Sequence, residues 1–417
     1  MLKKRSEFTR HALIMITGAA IAQMLPVLVS PVLTRIFAPQ DFGIFAVFTA
    51  ITTTISVAAA GRYEMVIMVP DRNCAASQVF ALALIVSLLF CVVFSLVAPF
   101  LPVAEWAGSE ELAGWVWMMP ASIFFLAAFK TLGYWLSRHK QYSLLSRLRV
   151  IQGGAVSAAS VGLGLIWSGP GGLIVGALIG QVASTALGLR GCWATFQRKW
   201  PLSALLWQAR RYRQYPLVSM PSALLDTLTQ QLPVLCFARF YDTMAAGYFN
   251  LGVRVLSAPA SIVSASIAQI YFQRISDCVR NNPGETLHEV VSTAKKLAAL
   301  ALLIFFPFFF FGEWIFGLVF GKVWILAGGY SEILVLSIFI KFIVSPLSTI
   351  FIVVEKHWVI ARWQVFYFFA TIAAIVVGVQ YSPKTLLWIL VMTDLIVYGV
   401  YFLLIILLSK RISSGKV

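Results

Sequence analysis

Twelve long apolar stretches, nearly free of charged residues, follow one another along this sequence with short polar segments between them. An α-helix needs about 20 mostly apolar residues to cross the hydrocarbon core of a bilayer. Each stretch has about that length, so the sequence predicts a chain of transmembrane helices. The twelve predicted spans are 12–34, 42–60, 76–100, 112–135, 150–167, 171–189, 216–238, 246–270, 297–320, 329–352, 363–380 and 385–408.

The composition supports a membrane protein and excludes two other classes. Apolar residues make up 60% of the 417 residues and charged residues 12%, against roughly 45–50% and about 25% in soluble domains. The 32 Phe, 13 Trp and 13 Tyr exclude disorder, and five Cys in so long a chain exclude a disulfide scaffold. The predicted fold class is an all-α integral membrane protein.

The net charge of +16 needs its own explanation, because 32 Lys and Arg stand against 16 Asp and Glu. In a soluble protein such an excess would indicate nucleic-acid binding. In a membrane protein, short loops rich in Lys and Arg stay on the cytoplasmic side. With the N-terminus inside, 25 cations fall in the seven cytoplasmic segments and four in outer loops. This split predicts cytoplasmic termini and removes the reason to expect a nucleic-acid partner.

The two halves of the sequence share a short element. Residues 23–28 read Gln-Met-Leu-Pro-Val-Leu and residues 230–235 read Gln-Gln-Leu-Pro-Val-Leu. After these, Arg35 precedes Gly43 by eight residues, as Arg239 precedes Gly247, and the offsets of 207 and 204 residues are close to half the chain. Short apolar matches arise by chance, but this one agrees with six plus six helices. An even number of helices in each half makes the repeats parallel.

The repeat predicts the domain organisation. We expect an N-terminal six-helix bundle over 1–195, a basic cytoplasmic linker over 196–215 and a C-terminal six-helix bundle over 216–417. Spans 1 and 7 are also interrupted by proline, at Pro26, Pro31, Pro221 and Pro233. Proline is common in membrane helices, but its presence in two corresponding helices favours bent helices that gate a site between the halves.

Glycines recur at intervals of four in span 6, at Gly172, Gly176 and Gly180. This spacing predicts close helix packing rather than ligand contact. No phosphate-binding loop accompanies the spans, since the nearest match, 317–323, has the wrong interval. The four His and five Cys form no metal-ligand pattern. We therefore expect no catalytic residues, no metal and no cofactor, and a chain that is not an enzyme.

Charges inside the predicted spans are costly, by at least about 2.5–3.5 kcal/mol each on insertion scales, and are therefore candidates for function. Asp226 and Asp394 either make structural hydrogen bonds between helices or bind a proton or Na⁺ during coupling. Lys130 either extends its ammonium group to the interface or binds substrate. Lys341 lies near the centre of span 10.

Arginine favours anion recognition, because its planar fork matches phosphate and carboxylate groups. This makes Arg254, inside span 8, a candidate for substrate binding. Arg35 and Arg239 close the repeated element at the predicted outer face, where each is either an interfacial anchor or a residue of substrate release. Together, the cations of the spans favour an anionic headgroup over a cationic drug.

Two parts of the sequence resemble a known family. Residues 31–45, Pro-Val-Leu-Thr-Arg-Ile-Phe-Ala-Pro-Gln-Asp-Phe-Gly-Ile-Phe, and 61–70, Gly-Arg-Tyr-Glu-Met-Val-Ile-Met-Val-Pro, are similar to the opening of bacterial polysaccharide transporters. The stretch from Tyr215 to Pro221 and on to Arg254 is similar to the same family. These are the Wzx-type flippases of the multidrug/oligosaccharidyl-lipid/polysaccharide exporter (MOP) superfamily.

The resemblance implies a MATE-like fold of two six-helix bundles around a cavity. It implies an activity that moves an undecaprenyl-diphosphate-linked oligosaccharide from the cytoplasmic to the periplasmic leaflet of the bacterial inner membrane, for O-antigen or related lipopolysaccharide synthesis. The diphosphate would contact Arg254, Lys341 and Lys130, and Asp226 and Asp394 would exchange a coupling ion. Partners would be the lipid-linked substrate, membrane lipids, and the polymerase and chain-length regulator of the same pathway.

Two other functions stay open from the sequence. A multidrug exporter of the same superfamily would expel cationic drugs in exchange for H⁺ or Na⁺, and its cavity should be richer in carboxylates. A non-transporting membrane protein, such as a scaffold or a polymerase, is the other class. A polymerase would usually carry a long outer loop, whereas the longest outer loop here, 101–111, has about a dozen residues.

Overall fold

The computed structural model describes residues 2–100, 102, 105, 108, 110–167, 169–196 and 200–415, with the side chains of 2–16, 194, 265, 266, 269 and 357 left out. Three cations assigned above to cytoplasmic segments, Arg198, Lys199 and Lys416, lie outside these residues. So does most of the outer loop 101–111. The side chain of His357 lies outside the description as well.

The described residues form fifteen α-helices and no strand. They are α1 (Leu2–Ile36), α2 (Pro39–Ala59), α3 (Tyr63–Val66), α4 (Asn73–Val97), α5 (Met119–Arg138), α6 (Tyr142–Gly164), α7 (Gly171–Cys192), α8 (Leu202–Arg211), α9 (Met220–Phe240), α10 (Thr243–Asn281), α11 (Thr286–Val319), α12 (Ile325–Leu347), α13 (Ile350–Val353), α14 (His357–Gly378) and α15 (Pro383–Ser413). Short 3-10 or π turns lead into several of them.

Every predicted span overlaps a long helix, so the prediction of an all-α membrane protein is confirmed. Within the described ranges, nine segments are long and apolar enough to cross a bilayer. The other three predicted spans lie on α6, α9 and α10, which have 23, 21 and 39 residues. These helices carry more polar residues. The predicted orientation, with both termini cytoplasmic, stays a prediction.

The chain forms two compact units, residues 1–247 and 248–417. The first contains α1 to α9 and the first turn of α10, and the second contains the rest of α10 and α11 to α15. The predicted pair of six-helix bundles, joined by a linker at 196–215, stays a prediction.

The glycines of span 6 let α7 approach the backbone of α6. A Cβ at Gly176 would lie 2.8 Å from the backbone nitrogen of Ser160, and one at Gly180 would lie 2.9 Å from the carbonyl oxygen of Gln152. At Gly172 the same atom would lie 3.1 Å from the nitrogen of Gly164. The side chain of any other residue would force the helices apart, as predicted for a packing role.

Prolines in α1 do not end the helix. Pro26 and Pro31 lie inside its 35 residues, and Pro26 has no N–H to give the carbonyl of Ala22 four residues earlier. That carbonyl oxygen faces Gly153 of α6, where a Cβ would lie 2.7 Å from it. Glycine at position 153 therefore lets the backbone of α6 approach this carbonyl closely.

The prolines of the seventh span sit in two different settings. Pro233 lies inside α9, as the sequence indicates. Pro221 is the second residue of α9, and the π-helical turn Tyr215–Ser219 directly precedes the helix. The first helical N–H groups have no partner within the helix, so proline is tolerated at this position. Whether these prolines make the helices bend during transport stays a prediction.

The repeated element has matching geometry in both copies. Helix α1 ends at Ile36 and α2 begins at Pro39. Helix α9 ends at Phe240 and α10 begins at Thr243, so both boundaries recur 204 residues later, at the offset of the repeat.

The two copies touch at corresponding residues of the first unit. A Cβ at Gly43 would overlap the carbonyl oxygen of Thr243, and a Cβ at Gly247 would overlap the carbonyl oxygen of Pro39. The same added atom at Gly247 would lie 3.0 Å from the nitrogen of Gly43. Position 39 corresponds to 243 and position 43 to 247, so the contact is reciprocal, and only glycine fits at the centre.

We predict that Gly43→Ala and Gly247→Ala each destabilise the protein by about 1–3 kcal/mol, because the added methyl group meets backbone that cannot turn away. The control is Gly162→Ala in α6, where nothing lies within 4 Å of an added Cβ. That change should stabilise the helix by roughly 0.5–1 kcal/mol. Thermal unfolding of the three purified variants in detergent measures this, and equal midpoints for all three would contradict the close contact.

Candidate functional site

A polar cluster forms in the first unit where α2 ends. The chain turns through Gly61 and Arg62 in the left-handed region, at φ +57° and +60°. For a non-glycine residue this conformation costs about 1–2 kcal/mol. The turn leads into α3, in which Glu64 is only 3% exposed. Arg62 Nη1 lies 3.5 Å from Glu64 Oε1, so the two form an ion pair.

Lys130 of α5 lies near this ion pair. Its Nζ donates a hydrogen bond to Ser56 Oγ of α2 at 3.1 Å, and its charge acts on the Glu64 carboxylate. Glu64 lies between the apolar segments 39–59 and 73–100. Burial raises the pKa of its carboxyl group, while a backbone hydrogen bond, Arg62 and Lys130 lower it in part. We call Ser56, Arg62, Glu64 and Lys130 the Arg62 cluster.

Two polar atoms of the Arg62 cluster are buried and make no hydrogen bond. Arg62 Nε and Glu64 Oε2 are shielded from solvent and have no hydrogen-bond partner. A buried donor without a partner costs about 1–3 kcal/mol. The cluster contains two cations and one anion, so it has excess positive charge and a free guanidinium donor. Such an arrangement can accept an oxyanion with little further desolvation.

Asp226 lies near this cluster on α9. Its Oδ2 accepts a hydrogen bond from Gln230 Nε2 at 3.3 Å, one helical turn along, and Arg62 acts on it electrostatically. The structure therefore brings two of the candidate residues, Lys130 and Asp226, to the surroundings of Arg62.

A second polar cluster lies in the second unit. Lys341 Nζ of α12 donates to Asp394 Oδ2 of α15 at 2.6 Å. The same carboxylate accepts hydrogen bonds from Ser337 Oγ and, at 2.7 Å, from the Tyr367 hydroxyl of α14. One carboxylate thus links three helices. We call Ser337, Lys341, Tyr367 and Asp394 the Lys341 cluster.

Aromatic rings surround the Lys341 ammonium group. Its nitrogen lies 5.7 Å from the ring centre of Tyr367 and 5.6 Å from that of Tyr398. The Trp363 ring stacks on Tyr367 at 5.3 Å and on Tyr401 at 4.3 Å. A cation over aromatic faces gains about 0.5–2 kcal/mol. Ring faces and one carboxylate therefore stabilise this charge inside an apolar unit.

Lys130 and Lys341 occupy comparable places in the two halves. They lie on the fourth and tenth predicted spans and are 211 residues apart, close to the offsets of the repeat. Each belongs to a polar cluster that also contains a carboxylate and a serine. The side chain of Lys130 turns to Ser56 and Glu64 rather than standing alone.

The three candidate arginines have different surroundings. Arg254 is half-buried on α10, within the second unit. Arg35 and Arg239 are exposed, and each is the last residue but one of its helix, α1 or α9. Cations in the last turn interact favourably with the helix dipole. This position fits the anchor interpretation, and a role in substrate release stays a prediction.

Sequence reasoning missed Arg62 and Glu64. Arg62 was counted as one of the topology-determining loop cations, and Glu64 was not singled out. A usable signal was present, since Gly61 is followed by two opposite charges at the start of the apolar run 65–70. Ser337 and Tyr367 carried no such signal. Among the described residues, no group of His, Cys, Asp and Glu could hold a metal ion.

Comparison with known families identifies the chain at the level of its family. The model of the family described as "Polysaccharide biosynthesis protein" matches residues 32–327. The chain belongs to this family. The match includes the second copy of the repeated element, the part of the first copy from residue 32 onward, and all of the Arg62 cluster. The sequence has no significant match among curated proteins.

Solved structures show the fold of this polysaccharide biosynthesis protein. The lipid II flippase MurJ matches with a TM-score of 0.73 at 11% identity, over 97% of this chain and 90% of that one. A MATE family multidrug resistance transporter of the MOP superfamily matches with a TM-score of 0.69 at 13% identity, over 97% of this chain and 100% of that one. The predicted MATE-like fold is therefore confirmed, and the two neighbours are by their own descriptions a flippase and a multidrug transporter.

We predict that breaking the Lys341–Asp394 pair from one side destabilises the protein more than removing both charges. Asp394→Leu should cost on the order of 3 kcal/mol, because it leaves a buried ammonium group without its carboxylate. The double variant Lys341→Met with Asp394→Leu should recover much of this loss. Denaturant unfolding in detergent of the single and double variants measures the coupling. The control is Lys322→Met, an exposed cation, and additive losses in the double variant would contradict the pairing.

Proposed function

We propose that the protein is a flippase for lipid-linked oligosaccharides. It moves undecaprenyl-diphosphate-linked repeat units from the cytoplasmic to the periplasmic leaflet of the bacterial inner membrane, for O-antigen or related surface polysaccharide synthesis. The observation that carries the proposal is the Arg62 cluster, where two half-buried cations meet and the buried Arg62 Nε donor has no partner. The membership in a polysaccharide biosynthesis family supports a glycan as the cargo.

The chemistry of the headgroup explains why the site is cationic. A diphosphate carries negative charge that cannot enter an apolar interior unless cations and hydrogen-bond donors replace its water. The Arg62 guanidinium offers a planar fork and Lys130 a point charge. Glu64 partly neutralises both cations, and an arriving diphosphate would compete with this carboxylate for Arg62.

The carboxylates are candidates for coupling to H⁺ or Na⁺. Asp394 accepts hydrogen bonds from three side chains, a set of partners that suits a structural carboxylate. Asp226 has one side-chain hydrogen bond, from Gln230 on its own helix. This leaves more capacity for a proton or a metal cation, so Asp226 is the better candidate. Glu64, next to the proposed headgroup site, is a third.

The rest of the proposed cycle uses elements named above. Alternating access would bend the helices that contain Pro26, Pro31, Pro221 and Pro233. Arg254 and Lys341 remain further candidates for contact with the headgroup, and Arg35 and Arg239 would act at release. The polyprenyl tail would stay in the lipid. A polymerase and a chain-length regulator would take up the product.

A multidrug exporter is the second candidate, because the fold is shared with drug transporters. The MATE multidrug transporter DinF-BH matches with a TM-score of 0.67 at 13% identity, over 97% of this chain and 95% of that one. Against it stands the unpartnered guanidinium donor of Arg62, which suits an anionic headgroup rather than a cationic drug. Drug resistance conferred by expression, without any effect on surface glycan, would favour the exporter.

The flippase proposal predicts that Arg62→Ala lowers surface glycan by about ten- to a hundredfold, since a hydrogen bond to a charged group contributes about 1.5–3 kcal/mol. Arg62→Lys should retain part of the activity, because it keeps the charge and loses the fork. The matched control is Arg72→Ala, an exposed cation in the same segment between α2 and α4.

The assay measures surface polysaccharide and lipid-linked repeat units in a flippase-deficient host at equal protein levels. Repeat units should accumulate on the cytoplasmic side in the Arg62→Ala strain. Arg254→Ala should lower export in the same way if Arg254 contacts the headgroup. If the flippase-deficient host that lacks this protein still makes normal surface glycan, the proposed function is wrong. If the Arg62→Ala strain exports normally, the Arg62 cluster does not bind the headgroup.

A further inference from the structure

Helix α8 lies in the basic segment that was predicted to link the two bundles, and its inner face is fixed to the first unit. Gln208 Nε2 donates to Gln78 Oε1 at 3.0 Å, and the Tyr63 hydroxyl donates to the carbonyl oxygen of Ala209 at 3.2 Å. Just before the helix, Trp200 Nε1 donates to Ser77 Oγ at 2.9 Å. Ser77 and Gln78 belong to the first turns of α4, so α8 packs at the end of a membrane-spanning helix.

The outer face of α8 is apolar at its N-terminal end. Leu202 is 70% exposed, Leu206 54% and Trp207 53%. At about 100° per residue these three side chains cover an arc of about 140°, and the buried Leu205 and Gln208 lie on the opposite side of the helix. In water this surface would be unfavourable. At the edge of a bilayer it would be covered by acyl chains, and Trp is enriched at that depth.

The C-terminal end of α8 is cationic. Arg210, Arg211 and Arg213 are exposed, and among the described residues no carboxylate forms an ion pair with them. The Arg211 guanidinium lies 4.9 Å from the ring centre of Trp207 and 5.5 Å from that of Tyr212. A cation held beside an interfacial Trp ring is placed at headgroup depth, where lipid phosphates lie.

We propose that α8 is a binding site for anionic phospholipids of the cytoplasmic leaflet. Leu202, Leu206 and Trp207 enter the acyl region, and Arg210, Arg211 and Arg213 bind the phosphate groups. The occupant is an anionic lipid rather than a protein for two reasons. The helix lies at the end of α4, where lipid is the neighbour of a membrane protein, and its three exposed cations complement a negative surface. This site is separate from the proposed flippase activity.

The first test is native mass spectrometry of the full-length protein with phosphatidylglycerol and with phosphatidylcholine of the same acyl chains. The triple variant Arg210→Gln, Arg211→Gln, Arg213→Gln should weaken phosphatidylglycerol binding by about a hundredfold, since each cation near a membrane surface contributes about 1 kcal/mol, or roughly fivefold. Binding of phosphatidylcholine should change little.

The matched control removes the same charge elsewhere. Arg280, Lys295 and Lys296 are exposed cations of another predicted cytoplasmic segment. The triple variant Arg280→Gln, Lys295→Gln, Lys296→Gln should retain most phosphatidylglycerol binding. Equal losses in the two triple variants would overturn the proposal, because they would show an effect of net charge alone. Unchanged binding in the α8 variant would overturn it as well.

A second test leaves the three arginines in place, so it remains valid even if the arginine variants fail to fold. The photoreactive amino acid p-benzoylphenylalanine in place of Leu206 reports what touches this face in the native membrane. We expect cross-links to phospholipid, identified by their mass. Cross-links to a protein instead would overturn the proposal and identify α8 as a protein-binding surface.

Discussion

The hydrocarbon core of the bilayer imposes the constraint on which the rest of this structure depends. Backbone N–H and C=O groups find no water there, so each span must satisfy them within its own helix. Because lipid supplies no hydrophobic driving force between helices, association depends on close packing. Glycines provide it where α6 meets α7, and at the reciprocal contact between Gly43 and Gly247. At Pro26, where the helix loses a hydrogen bond, a glycine of α6 again allows backbone to approach backbone.

The same low dielectric decides how charges are arranged. A lone charge inside the spans is costly. In each polar cluster a carboxylate lies close to a cation and offsets part of this cost. The Lys341 cluster is complete, since Asp394 accepts from a serine, a lysine and a tyrosine, and aromatic rings surround the ammonium group. The Arg62 cluster is incomplete, with a buried guanidinium donor and a buried carboxylate oxygen left over. Incomplete pairing is costly for stability, and it is what leaves room for an anionic ligand.

Part of the candidate site could be read from the sequence and part could not. Lys130, Asp226, Lys341 and Asp394 stood out because they interrupt apolar spans. Arg62 and Glu64 did not, because a charge in a short polar segment counts as topology by the positive-inside rule. Only the left-handed turn at Gly61 and Arg62 brings that segment back against Lys130 of α5. Lys341 and Asp394, which the sequence treated as separate candidates for separate roles, form one ion pair.

The sequence by itself determined the helices, since length and hydropathy are local properties and the bilayer leaves the backbone one way to satisfy its polar groups. It also determined the repeat, because the helix ends recur at the 204-residue offset. The tertiary structure decided which charges meet. Lys341 pairs with Asp394, 53 residues away, and Lys130 donates a hydrogen bond to Ser56, 74 residues away. Whether such residues touch depends on how whole helices rotate and pack, and on where glycine lets them come close.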